Sequence, residues 1–165
     1  MGGRDARSRR GGPWLRYGSA AAAVTVSAVT GARAVDADSA WYRSLRKPSW
    51  QPPSWAFGAV WTPLYASIAY AAGRAWGVPA QRRRAALTAS LAVNLTLDAG
   101  WNRLFFHHRS PRAGLAGTLL LDLSTVDLIR RTARVDRQAA AVLVPYAAWC
   151  AFATALNASL ARRNA

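Results

Sequence analysis

The chain has 165 residues, a hydrophobic fraction of 52%, a mean hydropathy of +0.01 and a formal net charge of +15. Its length fits a single domain, and its average hydropathy alone does not separate a membrane protein from a soluble one. A single cysteine, Cys150, excludes an intrachain disulfide. The sequence has no glutamate, no Cys/His cluster and no glycine-rich phosphate loop, so it carries no conventional catalytic, metal or nucleotide motif.

The basic residues form short clusters, and apolar stretches rich in Ala, Leu and Val separate these clusters. The stretches are about 17–23 residues long, the length needed to cross a bilayer core of roughly 30 Å. Arginines that flank apolar stretches are typical of anchors at the membrane edge. This distribution favours a membrane bundle over a nucleic-acid-binding domain or an amphipathic soluble bundle, the two alternatives that the net charge allows. The clusters are Arg4–Arg16, Arg43–Lys47, Arg82–Arg84, Arg103–Arg112, Arg130–Arg137 and Arg162–Arg163.

The predicted fold is all-α, an integral membrane bundle of five transmembrane helices with a long Trp/Pro-rich loop between helices one and two. A basic N-terminal tail, residues 1–13, precedes the first helix, for which a signal peptide is the alternative interpretation. The membrane domain is predicted to cover residues 14–163. Its helices are expected at about 14–34, 54–76, 85–106, 113–129 and 139–160.

The stretch from Trp41 to Trp61 reads WYRSLRKPSWQPPSWAFGAVW and holds four of the eight tryptophans. Proline fixes the backbone angle φ in advance, and tryptophan buries a large area at a small entropic cost. We therefore predict a compact irregular loop, without helix or strand, before the second long helix. In that helix Phe57, Trp61 and Tyr65 recur every four residues and share one face.

Polar residues inside the predicted transmembrane helices mark the interior of the bundle. Asn94, Asp98 and Asn102 are spaced four residues apart in the third helix, and Asp122 lies in the fourth. A carboxylate at the centre of a bilayer costs about 2.5–3.5 kcal/mol on insertion scales, so these side chains should face other helices. They could hydrogen-bond between helices or line a ligand pocket. The pocket is favoured because three tryptophans accompany them, namely Trp61, Trp101 and Trp149.

The motifs of the loop and of the later helices resemble the TspO/MBR family, the tryptophan-rich sensory proteins and translocator proteins. The resemblance covers about residues 14–163 and is most specific in the loop. The residues that carry it are Trp41-Tyr42, Leu45, Lys47-Pro48, Trp50, Pro52-Pro53, Trp55, Val60-Trp61, Asn94, Trp101, Phe105-Phe106, Leu121-Asp122-Leu123, Pro145-Tyr146, Trp149, Phe152-Ala153 and Leu156-Asn157.

The resemblance implies a homodimeric membrane protein whose first loop closes a central pocket. It implies binding of porphyrins such as protoporphyrin IX, for sensing, sequestration or transport, with no cofactor required beyond this ligand. One alternative is light- and oxygen-dependent porphyrin degradation, with Trp61 and Trp149 as the catalytic pair; another is a regulatory role beside a second membrane protein. The ligand-binding positions that the resemblance implies are Tyr42, Pro52, Trp61, Asn94, Asp98, Trp101, Asp122, Trp149 and Ala153.

Two positions depart from the family pattern. Asp98 stands where family members usually have asparagine, and an ionised carboxylate accepts hydrogen bonds but cannot donate them. The run from Leu156 to Arg162 lacks the tyrosine of the cholesterol-recognition motif found in animal members, so cholesterol binding is not supported.

The remaining expectations concern metal and location. The pair His107-His108 could supply an axial haem ligand, but an interfacial polar pair is the favoured interpretation, and no metal site is expected. The Ala/Arg-rich composition favours a bacterial cell membrane, with the mitochondrial outer membrane as the alternative. A small excess of basic residues on the N-terminal side of the predicted spans favours a cytoplasmic N-terminus.

Overall fold

A computed structural model describes residues 12–165 of the chain. The predicted basic tail, residues 1–13, lies outside this range except for its last two residues. All regular secondary structure within residues 12–165 is helical, which confirms the all-α class. The helices are α1 (Pro13–Ala32), α2 (Ala40–Ser44), α3 (Ser54–Ala75), α4 (Gln81–Asn102), which continues into a π-helical turn (Arg103–His107), α5 (Pro111–Ala133), α6 (Arg137–Val142) and α7 (Val144–Arg163).

Two of the helix starts follow directly from capping side chains. The Ser110 hydroxyl accepts a hydrogen bond from the Ala113 amide at 3.2 Å, and Pro111 then fills the first position of α5. The Asp136 carboxylate accepts from the Ala139 amide at 3.0 Å and so begins α6. Both arrangements satisfy amide groups that have no partner inside the helix.

The loop between the first two long helices contains a helix, so the prediction of a loop without regular structure is wrong. Ser39 explains the difference, because its hydroxyl accepts from the Tyr42 amide at 3.3 Å and donates to the Asp36 carbonyl at 2.8 Å. These local bonds begin the single turn of α2 (Ala40–Ser44). The sequence signal was a serine three residues before the tyrosine, which is the spacing of an N-cap.

Two predicted helices are interrupted. The fifth is divided at Leu143 into α6 and α7, two residues before Pro145, which has no amide hydrogen and whose ring conflicts with a preceding carbonyl. The third begins at Gln81, earlier than predicted, and its last residues form the π-helical turn Arg103–His107.

The long helices close into a ring. Helix α1 packs against α3 and α4, α4 packs against α5, and α5 packs against α7, while α3 returns to meet α6 closely and α7 less closely. Glycine allows the tightest approach, because a Cβ on Gly73 of α3 would lie only 2.2 Å from the Tyr17 ring of α1. The looser contact between α3 and α7 is where aromatic side chains fill the space.

The core of the bundle is mainly apolar but includes several buried polar residues, and large apolar side chains are exposed on its outside. Asn94, Asp98 and Thr125 are buried, whereas Leu123 of α5 and Val26 of α1 are largely exposed. Many exposed large apolar side chains on the outer faces of the helices mark an interaction with lipid or with another protein. By length and composition, one segment of the described helices, the 27 residues Arg137–Arg163, could cross a membrane, and an 18-residue window within it has a mean hydropathy of 1.7.

Candidate functional site

Six aromatic side chains fill the space between α3 and α7, and we call them the aromatic cluster. The Trp61 ring stacks on Tyr65 with centroids 5.0 Å apart and meets Tyr146 edge-on at 6.1 Å. The Trp149 ring stacks on Phe152 at 5.0 Å and meets Phe57 edge-on at 5.9 Å. The two predicted central tryptophans thus both lie between α3 and α7, each in its own set of three contacting rings. The members are Phe57, Trp61, Tyr65, Tyr146, Trp149 and Phe152.

Asp98 reaches the aromatic cluster through Tyr65. The Tyr65 hydroxyl donates to Asp98 Oδ2 at 3.0 Å, and the aspartate is only 1% exposed. Its second oxygen, Oδ1, is buried and has no hydrogen-bond partner among the described residues. An unsatisfied buried acceptor is costly, typically about 1–3 kcal/mol, and such atoms are rare in folded proteins. Asp98 therefore offers a free acceptor to a ligand that can donate.

Asn94 lies one turn before Asp98, and its amide is occupied within the bundle. Its Oδ1 accepts from the Tyr146 hydroxyl at 3.0 Å, while its Nδ2 donates to the hydroxyls of Thr125 at 3.0 Å and Ser124 at 3.2 Å. These bonds join α4 to α5 and α7. Asn94 thus forms hydrogen bonds between helices, which is one of the two roles that the sequence allowed for the polar residues spaced along this helix.

The other predicted residues of α4, α5 and α7 have different neighbours from the aromatic cluster. The Thr154 hydroxyl of α7 donates to Asp122 Oδ2 of α5 at 2.6 Å, so this carboxylate ties two helices together. Ala153 is half-buried beside it on α7. Trp101 is half-buried and lies edge-on to Phe105 at 6.4 Å, so it packs against both the main core and the smaller core beneath the loop.

The loop covers that end of the bundle and contacts the cluster. Tyr42 packs against Phe106 with centroids 5.3 Å apart, and Trp50 meets Phe152 edge-on at 5.7 Å. Lys47 Nζ lies 3.9 Å from the centre of the Tyr42 ring, a cation–π contact, while Gln51 donates to the Tyr42 hydroxyl at 3.0 Å. Burial raises the pKa of Tyr42, so its hydroxyl stays neutral. Pro52, also predicted for the site, is half-buried in the same loop.

A pair of hydrogen bonds fastens the loop to the C-terminal end of α7, and no sequence motif predicted it. Asn164 Oδ1 accepts from the Arg46 amide at 2.9 Å, and Asn164 Nδ2 donates to the Arg46 carbonyl at 3.2 Å. The same Nδ2 donates to the Leu160 carbonyl at 2.9 Å, which holds the side chain in place. The two residues are 118 positions apart, so no local pattern could have paired them.

The histidine pair lies away from the aromatic cluster. His107 ends the π-helical turn, and both rings are exposed, with centroids 5.5 Å apart. Within residues 12–165 the structure holds no group of three or more side chains placed to bind a metal ion.

Comparison with known proteins identifies the family of the chain. The model of the TspO/MBR family matches residues 19–163. The chain belongs to the TspO/MBR family. This membership confirms the resemblance seen in the sequence and makes the chain a membrane protein.

Relatives from bacteria and animals share most of the chain. The tryptophan-rich protein TspO of Chlorobaculum tepidum is 37% identical over 125 residues, which are 75% of this chain and 79% of that protein. Protein CrtK of Rhodobacter capsulatus is 35% identical over 132 residues, 79% of this chain and 82% of its own length. The human translocator protein is 32% identical over 155 residues, 92% of each chain. The similarity therefore extends over the loop as well as the helices.

Proposed function

We propose that the protein binds a porphyrin of the protoporphyrin IX type in the aromatic cluster, with the loop as its lid, in order to sense, sequester or transport it. The observation that carries this proposal is the free acceptor Asp98 Oδ1, buried behind the stacked pair Trp61 and Tyr65. A free-base porphyrin is a planar aromatic disc whose inner pyrrole N–H groups are donors. Indole faces suit the disc, and a carboxylate oxygen suits the donors.

The basic residues of the loop support the same ligand. Lys47 is held over Tyr42, and the backbone of the exposed Arg46 is fixed by Asn164, so the loop carries two cations near the mouth of the bundle. The two propionates of protoporphyrin IX are anionic and would remain at this mouth while the ring enters the cluster. The proposal needs no metal and no cofactor.

The proposal includes five membrane crossings, by α1, α3, α4, α5 and the segment α6–α7. Their apolar outer faces and the arginines at their ends support it. We further propose a bacterial cell membrane, a cytoplasmic N-terminus and a homodimer. Cysteine introduced at Ser49 should then be labelled only from outside the cell and cysteine at Val78 only from inside. The opposite pattern would reverse the orientation, and labelling of both from one side would refute the crossing of α3.

The porphyrin proposal is tested by titrating protoporphyrin IX fluorescence with the purified full chain in the dark. We expect saturable quenching that weakens about tenfold when Trp61 and Trp149 are both replaced by alanine, since each indole contributes stacking energy. Trp55→Phe is the matched control, because Trp55 lies on α3 but is 74% exposed. Quenching that does not saturate in the unchanged protein would refute porphyrin binding.

Porphyrin photodegradation is the second candidate, and the stacking of Trp61 on Tyr65 favours it. An indole beside an excited porphyrin is an electron donor, and Tyr65 is in contact with that indole and hydrogen-bonded to Asp98. Phenylalanine keeps a stacking surface but is much harder to oxidise. With Phe at both Trp61 and Trp149, dark binding should largely survive while turnover under light and oxygen is lost. Equal turnover in the variant would exclude the indoles from the reaction.

A further inference from the structure

A basic cleft opens at the end of the bundle beneath the loop, outside the aromatic cluster. It has a volume of about 440 Å³ and lies where α1 ends, the loop begins and α4 passes into the π-helical turn. Phe106 forms part of its wall and packs against Tyr42, so this pair of rings stands between the cleft and the lid. The polar side chains of the wall that matter here are Thr30, Arg33, Asp36, Arg103, His107 and Arg109.

Positive charge dominates this cleft. Three arginines face a single carboxylate, that of Asp36, and neither of the two ion pairs found within residues 12–165 involves any of them. Guanidinium groups without carboxylate partners are suited to bind phosphate, which their planar donor geometry matches in a bidentate manner. The cleft therefore has the composition of a site for an anion.

Irregular backbone places two of the arginines. In the π-helical turn the His108 amide donates to the Arg103 carbonyl at 3.2 Å, and the Ser110 amide donates to the Phe105 carbonyl at 3.3 Å. Arg109 follows with a φ of 49°, a conformation that residues other than glycine seldom adopt. Such turns are uncommon and concentrate at functional sites. The local chain thus adopts two costly conformations at the wall of this one cleft.

The face of α1 below the cleft is apolar. Thr30 and Arg33 follow Val26 and Val29 by four residues each and so lie on the same face of the helix. The two valines are 66% and 44% exposed. Within about one helical turn this face changes from an apolar surface to the basic wall of the cleft, as a site for a lipid requires.

We propose that the cleft binds the phosphate of an anionic phospholipid, with an acyl chain along the Val26 and Val29 face of α1. The proposal rests on the membrane crossing of α1 given above and is independent of porphyrin binding. Basic pockets at the ends of transmembrane helices are suited to anionic headgroups. The bound headgroup would lie next to the Phe106–Tyr42 contact and so would stabilise the closed loop.

The test uses the full chain in a neutral detergent and measures lipid retained by native mass spectrometry. The unchanged protein should retain phosphatidylglycerol in preference to phosphatidylcholine. The variant R103Q/R109Q should retain about tenfold less phosphatidylglycerol, since charge-assisted bonds to phosphate are lost. The variant R82Q/R83Q is the matched control, because it removes the same charge from the other end of α4 and should behave as the unchanged protein.

The outcomes distinguish lipid binding in the cleft from a general effect of positive charge and from porphyrin binding. Equal losses in the two double variants, or no loss in either, would overturn the proposal. Displacement of phosphatidylglycerol by millimolar inorganic phosphate would overturn the lipid assignment and leave a soluble anion as the ligand. Helicity is measured by circular dichroism on every variant, together with the dark quenching of protoporphyrin IX. If R103Q/R109Q does not fold, R33Q serves as a second variant of the residues that line the cleft. If the unchanged protein does not quench protoporphyrin IX fluorescence, that result bears only on the porphyrin proposal.

Discussion

The hydrogen bonds of Asn94 should make it the most sensitive polar position of the bundle. Replacement by alanine removes three bonds, with Tyr146, Thr125 and Ser124, and leaves the Tyr146 hydroxyl buried without its acceptor. Interhelical hydrogen bonds in membrane proteins average about 0.6 kcal/mol, and an orphaned buried polar group adds about 1–3 kcal/mol. We therefore expect Asn94→Ala to destabilise the bundle by about 2–4 kcal/mol.

Thermal unfolding in detergent, followed by circular dichroism, measures this effect. A loss of that size should lower Tm by roughly 4–16 °C in a chain of this length. Thr96→Ala is the matched control, because Thr96 is exposed on the same helix and its hydroxyl donates only to the Ala92 carbonyl at 2.8 Å. Its replacement should change Tm by no more than about 2 °C.

A double-mutant cycle with Tyr146→Phe identifies the bond responsible. Phenylalanine removes the donor, so it leaves Asn94 Oδ1 without a partner. The double variant should therefore lose less stability than the sum of the losses in the two single variants. The expected coupling energy is about 0.5–1.5 kcal/mol. Additive losses, or a stable Asn94→Ala variant that no longer binds porphyrin, would refute the interhelical role and return Asn94 to the ligand site.

Three further predictions concern packing, the lid and acid stability. Gly73→Ala should lower stability by about 1–3 kcal/mol, because the new methyl group would lie 2.2 Å from the Tyr17 ring, and Tyr17→Ala in the same chain should restore part of the loss in thermal unfolding. Asn164→Ala should release the loop and raise the rate of porphyrin exchange several-fold in stopped-flow fluorescence, with a smaller effect on equilibrium affinity. An amide of α6 and then Arg74 hold the pKa of Asp136 below its ordinary value. Its contribution to stability is thus present above about pH 4 and lost as pH falls through the lowered pKa, so Asp136→Asn should flatten the dependence of Tm on pH below 4.

The positions of the long helices could be predicted because they depend on local properties of the chain. Pro52-Pro53 marks the start of α3 and Gly77-Val78-Pro79 its end, so the predicted bounds of about 54–76 differ by one residue from Ser54–Ala75. The interruptions of the predicted helices could not be predicted from the length of the apolar stretches. Pro145 could have signalled the division between α6 and α7, whereas the π-helical turn of Arg103–His107 follows no residue type that marks such turns.

The contacts between distant segments could not be predicted from spacing. The pairing of Arg46 with Asn164 depends on where the loop and the end of α7 meet in space, and nothing in either local sequence indicates it. Tyr65 is an intermediate case. Its place on the face of Trp61 was predicted, but its hydrogen bond to Asp98 depends on the packing of α3 beside α4.

Asn94 and Asp98 show why a polar stripe on one helix does not by itself define a ligand site. The two residues lie one turn apart on α4 and are both buried, so periodicity assigns them the same role. Their neighbours separate them, because α5 and α7 saturate the amide of Asn94 whereas only Tyr65 reaches Asp98 and leaves Oδ1 free. A buried group that is fully bonded contributes to the assembly of the bundle, and a ligand can replace none of its partners without cost. The group with an unused acceptor is the one at which a ligand gains energy, and that difference places the candidate site at Asp98 and the aromatic cluster.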